Sequence, residues 1–220
     1  MNEQINPRRP LRSLIPGIPI SVVTMVTALR FLDELVRRKQ GAHVCVPDVS
    51  NLMLAQETHS HRKVLLEAAM IMPDGTPLSR ISRLRGVRGI RRVCGPDSMF
   101  EAFDSSVSTK WRHIILGGTE DVLKLLEARL SKQCSKQEKW MADHRVRLPG
   151  VVQIGVGAAF NFHSGNIFRP PIVMLKTGFE WLHRLLSEPR RLWRRYVILA
   201  LKFVLAAIIK TVTGSCRGVD

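Results

Sequence analysis

Ala69-Met70-Ile71-Met72-Pro73-Asp74-Gly75-Thr76-Pro77-Leu78 is the stretch on which the fold turns. Met70, Ile71 and Met72 form a short unbroken apolar run, the pattern of a strand buried on both faces. Pro73 cannot continue a hydrogen-bonded ladder, and Asp74-Gly75 is turn chemistry, so the strand stops there. Pro77 suits a first helical turn, and a helix is expected from Pro77 to Leu84. A buried strand, a sharp turn bearing a carboxylate and a helix together make half of a βα unit.

The same unit repeats outward from this point. Upstream, Val22, Val26, Leu29, Leu32 and Val36 fall at helical spacing, and the helix closes in Arg37-Arg38-Lys39 and Gly41. Val44-Cys45-Val46, stopped by Pro47, reads as another buried strand, with helices over Val49 to Ala55 and Arg62 to Ala69. Downstream, Ile90 to Cys94 is expected to be a strand ending at Gly95, followed by a helix from Pro96 to Phe103. His113 to Leu116 is a strand ending at Gly117-Gly118, Thr119 caps a helix to about Leu130, and Val151 to Val156 is a strand carrying Gly155 and leading to Gly157. The alternation predicts an α/β fold, Rossmann-like, with a mostly parallel sheet and helices on both faces. Ligands of such sheets bind at the carboxyl ends of the strands, where helix N-termini converge. Glycine turns there admit phosphates to the backbone amides, although they serve equally as tight strand–helix joints.

The chain has 220 residues, of which 45% are hydrophobic, enough for one core with an appendage. Lys and Arg number 34 against 18 acids, a net charge of +16. Beyond simple solubility, such an excess points to a polyanion: nucleic acid, an anionic lipid surface or a phosphorylated ligand. No nucleic-acid motif accompanies the charge, which is densest beside an apolar segment, so nucleic acid is not expected as a partner. Cys45, Cys94, Cys134 and Cys216 form no CxxC pair, which fits a reducing compartment, and His59 and His61 alone make no metal site. Residues 1–16 read as a flexible basic arm without a signal-peptide core, 17–170 as the Rossmann-like core, and 171–220 as a basic, apolar helical appendage.

In the appendage, five arginines lie between positions 184 and 195 among Trp181, Trp193 and Tyr196, and Tyr196 to Ile209 is apolar but for Lys202. This suits a helix lying on an anionic membrane; an ordinary C-terminal helix packed on the core is the alternative. Arg184, Arg191 and Arg194 share one side of a helix, with Pro189 between them, and such a cluster can clamp a diphosphate.

Several strings occur in a characteristic order: Ile-Pro-Gly-Ile-Pro-Ile (15–20), Met-Pro-Asp-Gly-Thr-Pro-Leu (72–78), Val-Cys-Gly-Pro-Asp (93–97), Ile-Leu-Gly-Gly (115–118), Ser-Lys-Gln-Glu-Lys-Trp (135–140), Ile-Gly-Val-Gly-Ala-Ala-Phe (154–160) and Glu-Trp-Leu-His-Arg-Leu-Leu-Ser-Glu-Pro-Arg-Arg (180–191). Over roughly residues 15 to 200 they resemble the WecG/TagA/CpsF family of bacterial glycosyltransferases. The resemblance implies inverting transfer of N-acetylmannosamine or a related hexose from a UDP-sugar. The implied acceptor is a sugar on undecaprenyl diphosphate, met by a peripheral enzyme at the cytoplasmic face of the membrane, with no metal or other cofactor. It implies Asp74 as the base that takes the acceptor hydroxyl proton; on local grounds alone Asp74 also suits a helix N-cap. It implies donor or diphosphate contact for Gln137 and Glu138, for Gly155 and Gly157, and for the appendage arginines Arg184, Arg191 and Arg194, which would stabilise the leaving UDP. Gly75, Gly95, Gly117 and Gly118 complete the expected set. Homo-oligomerisation is left open.

The chain departs from the family pattern in places. Val46-Pro47-Asp48 stands where Thr-Pro-Asn is usual, Asn161 where an Asp is common, and Ser135 in place of a proline. A strand–helix–strand stretch of ~30 residues should separate the helix ending near Leu130 from the Gln-Glu motif, yet only Ser131 to Cys134 intervene. Two functions follow: an active UDP-sugar transferase, or a degenerate homologue that binds nucleotide-sugar or membrane and turns over poorly.

Overall fold

In a computed structural model, residues 9–15, 17–109, 111, 150–156, 174, 180–187, 193, 201–203 and 205 are described. The chain runs β1 (Arg12–Ile15), β2 (Ile18–Ser21), α1 (Met25–Arg37), β3 (Ala42–Cys45), α2 (Val49–Glu57), α3 (His59–Glu67), β4 (Met70–Ile71), α4 (Thr76–Leu84), α5 (Gly95–Thr109), β5 (Val152–Gly155) and α6 (Glu180–Ser187). The central sheet is parallel, in the order β4-β3-β5. Val44 and Cys45 pair with Met70 and Ile71 on one side, and Ala42 to Cys45 with Val152 to Gly155 on the other.

Side chains alternate across a strand, so β3 feeds two cores. Ala42, Val44 and Val46 join Phe31, Leu32 and Leu35 of α1, together with Met70, Met72 and Val93. Cys45 and Ile71 join Leu52 and Met53 of α2, Leu65 of α3, Leu78 of α4 and the three isoleucines Ile15, Ile18 and Ile20. Both faces of the sheet are covered, which is why its strands read as continuous apolar runs. Two polar residues are exceptions: Gln153 of β5 is buried, and His43 of β3 is fully buried with its Nε2 2.9 Å from the Val64 carbonyl oxygen of α3.

Capping chemistry sets the helix starts. α1 begins at Met25 rather than Val22 because Thr24 and Thr27 form a reciprocal capping box: the Thr24 N–H donates to Thr27 Oγ1 at 2.8 Å and the Thr27 N–H to Thr24 Oγ1 at 3.3 Å. Val23 is thereby left outside the helix and enters the core.

Two expected elements differ. Arg12–Ile15, placed by sequence in a flexible arm, is a strand paired antiparallel with β2. Gly17, with φ of +80°, turns the hairpin, and Pro16-Gly17 is the pair a type II turn takes. The hairpin is tied down by burial of Ile15, Ile18 and Ile20, by the Ser13–Ser82 hydroxyl contact at 3.0 Å and by the Ile71 N–H donating to Ser21 Oγ at 3.0 Å. Ile90 to Cys94, expected as a strand, forms no ladder among the described residues, where the Arg91 N–H donates to the Val23 carbonyl and the Val93 N–H to the Pro73 carbonyl as single bonds. Ile90 and Val93 are buried in opposite cores, so burial without pairing produced the apolar pattern.

The strand expected at His113 to Leu116, the helix from Thr119 and the short join at Ser131 to Cys134 lie outside the described residues. Near the C-terminus, residues 201–203 are helical. Phe203 is buried in the hairpin core, and Lys202 Nζ lies 2.6 Å from Glu57 Oε1 of α2. Among the described residues no helix is long and apolar enough to cross a membrane.

Candidate active site

At their carboxyl ends the three parallel strands open onto one rim, and three helices start from it. α2 follows β3 after Val46-Pro47-Asp48. Asp48 is its N-cap, accepting the Asn51 N–H at 2.8 Å, which accounts for the carboxylate at this departure from the family pattern. α4 follows β4 through Pro73-Asp74-Gly75, and its N-cap is Gly75, not Asp74. Gly75 has φ of +108°, a conformation that a side chain would strain. The third helix, α5, begins at Gly95, directly against the end of β5: a Cβ at Gly95 would lie 2.2 Å from the Val156 carbonyl oxygen. Gly155 is the last residue of β5 and pairs with Cys45. Gly75, Gly95 and Gly155 thus all reach the rim, and at Gly95 the close backbone approach alone excludes any other residue.

Asp74 sits on this rim beside Arg92, with Arg92 Nη2 3.9 Å from Asp74 Oδ1; the two side chains are 26% and 20% exposed. Behind them lies Cys94, whose thiol donates to Asp97 Oδ2 at 2.8 Å. Burial pushes the Cys94 thiol well above its ordinary range; the Asp74 carboxylate pushes the same way, Arg92 opposes it, and the hydrogen bond to Asp97 adds to the rise. Asp74, Arg92 and Asp97 therefore all act on one buried sulfur. The thiol is held protonated and is no nucleophile. What the rim offers chemically is a partly exposed carboxylate able to accept a proton, a cation next to it, and three helix N-termini whose dipoles favour negative charge. Among the described residues no group of three or more His, Cys, Asp or Glu side chains is placed to hold a metal ion.

The model of the glycosyl transferase WecG/TagA/CpsF family matches this chain over residues 13–136 and 133–217. The chain belongs to the WecG/TagA/CpsF family of glycosyl transferases. It is also 25% identical over 219 residues to the N-acetylglucosaminyldiphosphoundecaprenol N-acetyl-beta-D-mannosaminyltransferase of Bacillus subtilis (strain 168), a match that takes in 82% of this chain and 85% of the relative. The expected enzyme class, a hexosyltransferase, stands with the family.

Of the residues expected in the site of this family member, Asp74, Gly75, Gly95 and Gly155 lie at the rim. Gly117, Gly118, Gln137, Glu138, Gly157, Arg191 and Arg194 lie outside the described residues, and of Arg184 only the helical backbone, in α6, is described. Arg92 and Asp97 were not singled out from the sequence. The signal for Asp97 was its place in the Val-Cys-Gly-Pro-Asp motif; that for Arg92 was its position just before the motif, on a segment anchored by Ile90 and Val93.

Proposed function

We propose that the chain transfers an N-acetylmannosamine-like hexose, with inversion, from a UDP-sugar to a sugar carried on polyprenyl diphosphate, in the synthesis of a cell-surface polymer. The observation that carries this reading is the position of Asp74: a carboxylate on the carboxyl rim, beside Arg92 and at the foot of α4, in a chain that belongs to this family. The acceptor hydroxyl gives its proton to an Asp74 oxygen as its own oxygen attacks the anomeric carbon. The bond from that carbon to the donor diphosphate breaks, and UDP leaves with the electron pair. The N-termini of α2, α4 and α5 supply preorganised positive potential for the diphosphate, joined by Arg184, Arg191 and Arg194 of the appendage and by the Gln137-Glu138 motif at the nucleotide-sugar. No metal is required in this scheme, and excess chelator should leave turnover unchanged.

The acceptor lipid places the work at the membrane, by this reading on its cytoplasmic face. The appendage supports that: Trp193, Leu201 and Leu205 are exposed apolar side chains, with Leu201 and Leu205 one helical turn apart, while Phe203 holds the segment to the core. Truncation before Arg190 should therefore weaken binding to anionic liposomes.

A second reading, a homologue that binds nucleotide-sugar but turns over poorly, is favoured by one observation. The match to the relative spans 219 positions, while 82% of 220 residues is about 180, so roughly forty positions of the span face no residue of this chain. The two family-model matches meet at residues 133–136, where the sequence pattern is short. Release of UDP from UDP-N-acetylmannosamine, measured with and without polyprenyl-diphosphate-linked N-acetylglucosamine, separates the two. Acceptor-dependent release supports transfer. Calorimetric binding of the donor with no acceptor-dependent release supports the second reading.

A further inference from the structure

The densest run of charge in the described core enters the transfer scheme only through Arg92. Between Asp74 and Asp97 there is no acidic residue, and Arg80, Arg83, Arg85, Arg88, Arg91 and Arg92 all fall within it. Arg92 turns to Asp74, and Arg85 Nη1 donates to the Leu14 carbonyl at 3.0 Å, tying the run to the hairpin. Arg80, Arg83, Arg88 and Arg91 are exposed. Arg83, Arg88 and Arg91 line a cavity of about 360 Å³ around the Gly86–Gly89 loop. In the midst of these cations stands Leu84, the last residue of α4, 87% exposed. Arg80 lies three residues before Arg83 and four before Leu84, on a helix whose opposite side, Leu78, Ser79 and Ser82, is buried.

We infer that the exposed face and C-terminal end of α4, with the Gly86–Gly89 loop, form a membrane-docking surface of the core itself, seating its arginines on anionic phospholipid headgroups and inserting Leu84 among the acyl chains. A leucine 87% exposed, within a run of arginines that holds no acid, is the chemistry of an interfacial contact. A nucleic-acid groove has no use for an isolated aliphatic tip, and no exposed aromatic side chain lies within this run to stack on bases. The placement also serves the site. α4 runs from the Asp74-Gly75 turn to Leu84, nine residues and so about 13 Å of rise. Docking at Leu84 holds Asp74 close above the headgroups, where a lipid-borne diphosphate-sugar stands. This orientation rests on the proposed acceptor, but the docking surface does not.

Flotation of the full chain with vesicles tests the inference. Vesicles of phosphatidylcholine with roughly one-third phosphatidylglycerol are compared with pure phosphatidylcholine. Each arginine near an anionic surface contributes roughly fivefold in partitioning, so the triple variant Arg83→Glu/Arg88→Glu/Arg91→Glu should lose well over tenfold. Leu84→Asp should lose several-fold, and Arg83→Lys/Arg88→Lys/Arg91→Lys should stay near the parent. All three variants should keep the parental circular dichroism spectrum and melting temperature, because the altered side chains are exposed. Partitioning of the triple glutamate variant within twofold of the parent would overturn the inference. So would equal binding of the parent to pure phosphatidylcholine, or displacement of the vesicles by duplex DNA at physiological salt. If the parent releases no UDP in the presence of acceptor but the glutamate variant still loses its vesicles, the docking surface stands and the proposed transfer falls.

Discussion

Gly95 leaves no room for a side chain. The clash it would create, 2.2 Å to the Val156 carbonyl oxygen, is with backbone, which cannot swing aside as a side-chain tip can. Gly95→Ala should therefore cost at least about 2 kcal/mol in urea unfolding, and a loss under about 0.5 kcal/mol would show that α5 and β5 are not in this contact. Asp48→Ala, removing an N-cap, should cost about 1 kcal/mol and spare the chemical step. Cys94 makes a prediction with a definite sign. Its folded thiol keeps its proton to higher pH than the unfolded thiol does. Above the ordinary thiol range the unfolded chain therefore binds fewer protons than the folded one, and stability falls as pH rises. Between about pH 8 and pH 10.5 the parent should lose more stability than Cys94→Ala does, as read from urea midpoints; equal losses would contradict the buried setting of the thiol. Asp74 was legible as the carboxylate of a Pro-Asp-Gly turn, with base and helix N-cap both open; the N-cap is Gly75. Arg92 was not, because an arginine among six reads as surface until its segment is placed.

At the scale of elements, the apolar runs Val44 to Val46 and Met70 to Met72 made β3 and β4 legible, because burial on both faces favours such runs, and Pro47 and Pro73 mark where they stop; β5 was read from Val151 to Val156 and its Gly155, with Gln153 inside it. The β1–β2 hairpin was hidden by its neighbourhood: Arg8, Arg9 and Arg12 gave the first residues the look of a charged tail, although Leu14, Ile15, Ile18 and Ile20 flank a Pro-Gly turn. The segment from Ile90 to Cys94 misled in the opposite sense, because a run buried by tertiary packing carries the same apolar pattern as a paired strand. The contact of residue 203 with the hairpin joins elements far apart in the chain, and nothing in local sequence announces it. Phe203→Ala should cost about 3–5 kcal/mol if the appendage is held to the core by that side chain. A change below about 1 kcal/mol in the same urea titration would mean that the contact contributes little.

For the whole molecule, the alternation of strands and helices announced an α/β fold, and the expected site residues Asp74, Gly75, Gly95 and Gly155 lie on the carboxyl rim of its sheet. The polarity of the molecule was less legible. Charge totals alone did not separate lipid from nucleic acid; the position of exposed Leu84 among arginines is what favours lipid at the inferred docking surface. With the proposed lipid-linked acceptor, the carboxylate at the foot of α4 and the cationic tip at its other end would set chemistry and docking along one helix. The chemistry at that foot is tested by comparing steady-state UDP release by the parent and by Asp74→Asn, with the polyprenyl-diphosphate-linked acceptor in vesicles. Loss of the general base should lower kcat roughly 10²–10⁴-fold while the donor KM and the melting temperature stay near those of the parent. Undiminished kcat in Asp74→Asn would contradict the assignment of Asp74 as the base.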